Sequence, residues 1–296
     1  MGIYLRPGTL QEALSALAEA ARAGGGRPLT VLAGGTDVYP VRAARNAWLQ
    51  PAQRDILDVS GIEALQGIRE EAGEIVLDAL ASWTELIGAP LPAAFDGLKA
   101  AARAVGGVQV QNRGTIAGNI CNASPAADGV PPLLTLDARV EMASVRGHRR
   151  LPLAEFVTGN RQTALSPDEL VVAVRVPKPA ATARSVFLKL GARAYLVISI
   201  VSVAALVEIG ADGRIASAAV AVGACSAVPQ RLGALERDLI GRTAADVDAL
   251  VTPSHLDALS PIDDVRGSAG YRRHAALVLV RRALAQVLGA ELGAAA

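Results

Sequence analysis

Cysteine, histidine and aromatic residues are all scarce in this sequence. Only two cysteines, Cys121 and Cys225, and three scattered histidines occur in 296 residues. They cannot build a disulfide framework, and they are too few to ligate an iron–sulfur cluster or a structural zinc ion. No HExxH pair is present either. We therefore predict that this chain holds no metal of its own.

Charge of one sign and long apolar runs are also missing. The formal net charge is +1 without any extended basic cluster, which argues against nucleic acid or an anionic membrane as the main partner. The longest uncharged apolar run, residues 194–207, is too short to cross a bilayer. The first residues show neither the apolar stretch of a signal peptide nor a myristoylation signal, so we expect a cytoplasmic location.

Apolar residues make up 51% of the chain, enough for a sizeable core, and the length suggests roughly two domains. A capping box at Thr9–Glu12 predicts a first helix, ended by Gly24–Gly26. The other elements predicted for the first part are strands at 29–32, 56–59, 138–144 and 170–176, a hairpin around Ala72–Gly73, a helix from Phe95 to Val105, and a polar loop of about 25 residues at 108–132.

Pro177-Lys178-Pro179 is the best candidate linker, because two prolines interrupt both helices and sheets. Antiparallel strands are predicted beyond it at 185–190, 197–209 and 215–222, then helices at 232–240 and 244–250. The last helix has an apolar face (Leu277, Val280, Leu284, Leu288), and we expect its four arginines (Arg272, Arg273, Arg281, Arg282) on its surface. The sequence thus predicts an α+β domain, a linker and a smaller domain of sheet and helices.

Neither GxGxxG nor GxxxxGK[ST] occurs, so no Rossmann or P-loop nucleotide site is indicated. Two other glycine loops are candidates for a ligand site. The first leaves a strand and contains Val31, Leu32, Ala33, Gly34, Gly35, Thr36, Asp37 and Val38. Its glycines permit close backbone approach, so that successive N–H groups can hold a phosphate. Taken alone, this signal is weak, and an ordinary strand-to-helix turn explains the loop better than a ligand does.

The second loop combines small and polar residues within residues 112–128. Thr115, Asn119 and Ser124 offer neutral donors, and Asp128 offers a carboxylate for a sugar hydroxyl. A long ordered crossover, in which these side chains only satisfy backbone groups, explains the composition as well as a ligand does.

Together, Ala33-Gly34-Gly35-Thr36-Asp37 and Gly114-Thr115-Ile116-Ala117-Gly118-Asn119, with Asp128 after them, resemble the two flavin-binding motifs of the molybdenum hydroxylase flavoprotein subunits. This family comprises the FAD-binding medium subunits of xanthine dehydrogenase and carbon monoxide dehydrogenase. The resemblance extends along nearly the whole chain, through Glu169-Leu170-Val171, Phe187-Leu188-Lys189 and residues 264–272.

The resemblance implies an α+β fold of the vanillyl-alcohol oxidase and p-cresol methylhydroxylase type. Two subdomains, about residues 1–55 and 56–177, would bind non-covalent FAD, and a C-terminal domain of antiparallel sheet and helices would occupy 180–290. By similarity, residues 31–38 would wrap the FAD pyrophosphate. Thr115, Ile116, Ala117, Gly118, Asn119 and Ser124 would form the second wall, and Asp128 would accept from a sugar hydroxyl.

The resemblance also implies that Val105 and Val171 pack on the flavin and that Lys189 belongs to the site. A cation there would stabilise the reduced, anionic flavin, so Lys189→Met should lower its reduction potential. The alternative is that Lys189 is an ordinary surface lysine on an edge strand. Cys121 is expected to be a buried small residue rather than a redox centre.

Two departures from the family pattern bear on these expectations. Ala117 stands where a second glycine is frequent, and its methyl group requires a negative φ. Many relatives carry an acidic residue where Leu196 or Val197 stands, which puts the use of NAD in doubt. The chain also lacks the extra cysteine-bearing insertion found in benzoyl-CoA-type reductase relatives.

By resemblance, this chain would do no substrate chemistry. It would pass electrons from a small subunit with two 2Fe–2S clusters, beside a large molybdopterin subunit, through FAD to NAD, quinone or oxygen. A dimer of heterotrimers is the expected assembly. The alternatives are a self-contained flavin oxidoreductase of the same fold and a cofactor-free scaffold, for which Ala117 is the single hint.

Overall fold

A computed structural model describes residues 2–23, 29–47 and 55–289. The predicted end of the first helix at Gly24–Gly26 lies outside these residues. Of the helices in the described part of the chain, none combines the length and apolarity that a bilayer crossing requires.

The first part of the chain builds two sheets. Its strands are β1 (Tyr4–Leu5), β2 (Leu29–Leu32), β3 (Asp55–Asp58), β4 (Ile68–Glu71), β5 (Glu74–Asp78), β6 (Arg139–Ser144), β7 (Gly147–Pro152), β8 (Val157–Gly159), β9 (Gln162–Thr163) and β10 (Leu170–Pro177). Among the described residues, β1-β3-β2 form a parallel sheet, and β4-β5-β10-β6-β7 an antiparallel one. β8 and β9 form a separate hairpin.

Short helices cover these sheets. They are α1 (Leu10–Arg22), α2 (Val38–Ala47), α3 (Trp83–Gly88), α4 (Asp96–Ala104), α5 (Val108–Arg113), α6 (Ile116–Asn122), α7 (Val130–Thr135) and α8 (Leu153–Phe156). The predicted capping box is present at the start of α1, where Thr9 accepts from the Glu12 amide and the Glu12 carboxylate accepts in return.

The predicted continuous loop at 108–132 is wrong, because the segment contains α5, α6 and the first residues of α7; only residues 123–129 form a longer irregular stretch. Each helix is only six or seven residues long. Helices of this length are not stable alone and depend on tertiary contacts, so their apolar periodicity is too brief to predict them. Ala123, in a left-handed conformation, ends α6 where glycine is the usual signal.

The C-terminal part is one antiparallel sheet covered by helices. Its strands are β11 (Arg184–Leu190), β12 (Val201–Ile209), β13 (Ile215–Gly223) and β14 (Gln230–Arg231), in that order, and its α-helices are α9 (Gly233–Leu239), α10 (Val247–Leu250) and α11 (Ala269–Val287). The predicted α+β class, with an antiparallel C-terminal sheet, is confirmed. The strand predicted at 197–209 begins only at Val201.

One predicted surface residue of the last helix lies inside the protein. Arg272 is buried, and its guanidinium donates to the carbonyls of Ile200 and Ala224 and to the carboxylate of Asp264. The expectation that Arg272 is a surface residue was therefore wrong. Its backbone-carbonyl partners belong to distant parts of the chain, so helical spacing could not predict them.

The two parts of the chain pack closely against each other. The amide of Gly97 in α4 donates to Ser185 Oγ in β11 at 2.8 Å, and this hydroxyl donates to the Ala94 carbonyl. A Cβ on Gly97 would lie 2.9 Å from the Val186 carbonyl oxygen. Glycine therefore lets α4 touch the backbone of β11 directly.

Candidate functional site

A cleft of about 420 Å³ lies where the first parallel sheet meets the second sheet and its helices. This volume falls within the range of small-molecule sites. Most of the predicted binding residues line it: Val31, Ala33, Gly34, Gly35, Thr36, Asp37, Val38, Val105, Thr115, Ala117, Gly118, Asn119 and Val171. The structure therefore brings the two glycine loops together on one cavity.

Glycine is required where the two loops touch. A Cβ on Gly34 would lie 1.9 Å from the carbonyl oxygen of Arg113, in the second loop. Gly35 has a φ of +74°, and a Cβ there would collide with the ring of Tyr39. The first loop can follow this path only because neither residue carries a side chain.

The first loop presents a row of available backbone donors. Among the residues that the structure describes, none accepts a hydrogen bond from the amides of Gly34, Gly35, Thr36 or Asp37. Successive amides without partners in a concave loop are a typical anion-binding arrangement. They fit a diphosphate, and the Thr36 hydroxyl lies on the same wall.

The opposite wall carries a buried polar atom that lacks a partner. Asn119 Oδ1 is buried and accepts no hydrogen bond from the described residues. Asn119 lines the cleft, but this oxygen has almost no accessible surface there and lies toward Gly129, so it is an unsatisfied acceptor within the wall. Ala117 lies inside α6 with helical backbone, which meets the requirement that its φ be negative.

One end of the cleft is apolar. Trp83 and Val110 line it beside Val105, and the Trp83 amide donates to the carbonyl of Gly114 at 3.2 Å. Val171 lies on β10, next to Val172, whose carbonyl accepts from the Ala79 amide. An apolar slot of this kind suits the flat ring system of a flavin.

Sequence reasoning missed several residues that line the cleft. They are Thr30, Val59, Ala79, Leu80, Trp83, Val110, Gly114, Cys121, Asn122, Leu165 and Leu170. Asn122 is a polar residue of the second loop, and its composition could have singled it out. The apolar ones look like ordinary core residues in the sequence, so nothing distinguished them.

The remaining predicted residues do not line this cleft. Leu32 and Ile116 are buried in the core. Ser124 Oγ accepts from the amide of Ala126 in its own turn. Asp128 and Lys189 lie beside the cleft and pair with each other.

Asp128 and Lys189 form a buried ion pair between the two parts of the chain. Lys189 Nζ lies 2.6 Å from Asp128 Oδ2 and also donates to the Ala104 carbonyl at 3.3 Å, while the Ser199 hydroxyl donates to Asp128. The exposed fractions of the Lys189 and Asp128 side chains are 13% and 7%. β11 is an edge strand, but Lys189 is largely buried on it and is therefore not an ordinary solvated surface lysine.

Burial raises the pKa of the Asp128 carboxyl, and the Lys189 ammonium and the Ser199 hydroxyl offset only part of this rise. Cys121 is half-buried on the cleft lining, and burial of its thiol raises the pKa to about 12. Its expected role as a small packing residue agrees with this environment.

A second cavity of about 370 Å³ adjoins the first and shares Ala33, Gly34, Leu80 and Thr115 with it. Its other lining residues are mostly polar: Ser60, Ser82, Thr84, Glu85, Asn112 and Arg113. The loop contact at Gly34 separates the two spaces.

Two family models match the chain. Residues 1–179 match the FAD binding domain in molybdopterin dehydrogenase, and residues 187–287 match the CO dehydrogenase flavoprotein C-terminal domain. The flavoprotein resemblance of the glycine loops is thereby confirmed.

Named relatives agree with these models. The nicotinate dehydrogenase FAD-subunit of Eubacterium barkeri is 30% identical, covering 96% of this chain and 95% of its own length. A putative xanthine dehydrogenase FAD-binding subunit of Escherichia coli K12 is 30% identical, covering 98% and 97%.

A solved structure of carbon monoxide dehydrogenase from Hydrogenophaga pseudoflava matches with a TM-score of 0.86 and 27% identity. The match covers 97% of both chains. The chain therefore belongs to the FAD-binding subunits of the molybdenum-containing dehydrogenases of the xanthine and carbon monoxide dehydrogenase type.

Proposed function

We propose that FAD lies in the 420 Å³ cleft, with its diphosphate on the amides of residues 34–37 and its flavin ring in the apolar end. The observation that carries this proposal is the row of amides without partners among the described residues, in a loop that lines the same cavity as Thr115 and Asn119. Bound FAD supplies reversible electron transfer, which protein side chains do not provide.

The work of this chain is then to bind and orient. Gly34 and Gly35 bring the amides of the first loop to the diphosphate, and Thr115 and Asn119 line the opposite wall. Val105 and Val171 exclude water from the flavin ring. No acid or base of the chain is needed, because the substrate reacts on another subunit.

Lys189 has a different setting from the one expected of a lone cation. Because Asp128 lies 2.6 Å away, the pair presents little net charge to its surroundings. Lys189→Met leaves the Asp128 carboxylate uncompensated, so the site loses one unit of positive charge just as it would with an unpaired cation, and the flavin reduction potential should fall.

We further propose that electrons reach FAD from 2Fe–2S clusters on a small partner subunit and leave to NAD, quinone or oxygen. A large molybdopterin subunit would complete a heterotrimer, and two heterotrimers would form the complex. The names of the relatives support this assembly, since one is subunit alpha of the 6-hydroxypseudooxynicotine dehydrogenase complex of Paenarthrobacter nicotinovorans. Another is the carbon monoxide dehydrogenase medium chain of Hydrogenophaga pseudoflava.

The test is to purify the native protein with everything that remains attached and to record its visible spectrum. We expect flavin bands from FAD, broad iron–sulfur absorption and two further subunits, with a mass that gives the stoichiometry. Adding NAD, a quinone or oxygen to the substrate-reduced complex then identifies the acceptor by which one restores the oxidised spectrum. FAD without clusters or subunits would favour a self-contained oxidoreductase, and a chain that takes up no FAD would refute the proposal.

A further inference from the structure

Arg161 occupies a strained position beside the cleft. It lies in the turn between β8 and β9 with a φ of +59°, a conformation that is uncommon for residues other than glycine. Its amide donates to the Ala123 carbonyl at 2.8 Å, which fixes the turn to the end of α6. Strained residues of this kind cluster at ligand sites.

The guanidinium of Arg161 joins a short chain of contacts across the cleft. Its Nη1 donates to Asn122 Oδ1, and Asn122 Nδ2 donates to Asp37 Oδ1 at 2.9 Å. Arg161 Nη1 also lies 3.9 Å from Asp37 Oδ1. Asn122 and Asp37 both line the cleft, one from each wall. Arg161 therefore stands at the place where the two walls meet.

Part of this guanidinium is available to a ligand. Both hydrogen bonds that the Arg161 side chain donates come from Nη1 and go to Asn122. Among the described residues, none accepts from Nε or Nη2, and 57% of the side chain is exposed. The Nε–Nη2 edge of arginine matches the two oxygens of a phosphate in a bidentate arrangement.

The negative charges expected in the cleft would be stabilised by a cation at this point. The diphosphate of FAD carries negative charge, and Asp37 adds a carboxylate to the lining. The described residues that line the cleft include no lysine or arginine. Backbone amides alone would leave the diphosphate without a counter-charge.

Arg161 also lies next to the proposed position of the diphosphate. Asp37 is the last residue in the row of four amides without partners among the described residues; its Oδ1 lies 3.9 Å from Arg161 Nη1 and accepts from Asn122 Nδ2. Gly34, the first of the four, touches Arg113 just before α6, whereas Asn122 is the last residue of α6. Arg161 therefore stands at the Asp37 end of this row.

We propose that Arg161 binds the diphosphate of FAD, with Asn122 orienting its guanidinium. This inference rests on the proposed location of FAD in the cleft. It makes Arg161 a binding residue that neither glycine loop contains.

The test compares ligands that contain or lack the diphosphate. The FAD-free chain is titrated with FAD, ADP and riboflavin, using wild type, Arg161→Gln and Arg161→Lys. Loss of a charged hydrogen bond should weaken FAD and ADP binding about tenfold in Arg161→Gln and leave riboflavin unchanged. Arg161→Lys should lie between the two. Arg146→Gln is the matched control, because Arg146 is an exposed turn arginine whose recorded hydrogen bonds, to Ser144 and Asp168, involve no residue of the cleft lining.

If wild type binds FAD, either of two results would refute the role of Arg161. Either Arg161→Gln binds FAD as tightly as wild type, or it loses riboflavin as strongly as FAD, which indicates a purely structural effect. If wild type binds none of the three ligands, the proposed FAD site itself is wrong, and the role of Arg161 falls with it.

Discussion

Removing the Lys189 ammonium should expose how much the buried ion pair contributes to stability. Lys189→Met leaves the Asp128 carboxylate almost fully buried, with the Ser199 hydroxyl as its remaining side-chain donor among the described residues. Removing one partner of a buried pair typically costs about 3–5 kcal/mol. Asp128→Asn in the same chain removes the orphaned charge, so the double variant should recover much of this loss.

The deficit of Lys189→Met should depend on pH. The pKa of Asp128 is already raised by burial in the folded chain, and losing the Lys189 charge raises this pKa further. A folded-state pKa above the unfolded value means that the folded state holds the proton more tightly. Stability therefore falls as pH rises from the unfolded value of 3.8 through the folded pKa, and stays low above it. The deficit should be smaller near pH 5 than near pH 8.

The assay is reversible urea unfolding of the FAD-free chain at both pH values. Lys178→Met is the matched control, because Lys178 pairs with Glu70 at the surface, with side-chain exposures of 50% and 53%. Exposed pairs contribute at most about 1 kcal/mol. The reasoning would be refuted if Lys189→Met cost no more than this control, or if adding Asp128→Asn gave no recovery.

Three further predictions concern single residues. Gly34→Ala should destabilise the chain by about 1–3 kcal/mol and abolish FAD uptake, because the added Cβ overlaps the second loop. Urea unfolding and flavin fluorescence measure the two effects. Gly88→Ala, where a Cβ has open space, should cause neither. The Arg149 guanidinium lowers the pKa of Glu169 from 4.5 to about 2. The free energy of unfolding of the wild type should therefore fall by up to about 3 kcal/mol as pH falls through this window. Acid unfolding curves of Glu169→Gln should show a shallower pH dependence. Burial raises the pKa of the Cys225 thiol to about 11, so this thiol should react with a disulfide reagent near pH 8 only after denaturation; prompt reaction in the native chain would contradict its burial.

The sequence predicted those parts of the site whose chemistry is local. Gly34 and Gly35 follow a strand, and the structure places them on the cleft as the pattern indicated. Thr115 and Asn119 lie opposite them for the same reason. Their roles toward FAD stay predictions until binding is measured.

What the sequence did not predict depends on contacts between distant residues. Lys189 and Asp128 are far apart in the chain, and their pairing follows from the packing of β11 beside the second loop. Arg161 sits in a turn whose composition gives no sign of a cleft. Its importance emerges only when Asn122 and Asp37 are brought to its guanidinium.

The close contact of α4 with β11 at Gly97 has a consequence for how the protein matures. β11 is synthesised after the whole first part of the chain, so α4 must wait for the strand on which its glycine face rests. Val105 follows α4 directly and lines the apolar end of the cleft. We expect this wall to reach its final position only when β11 has packed against α4. Cofactor loading should then be a late event in biogenesis, which follows synthesis of the C-terminal sheet.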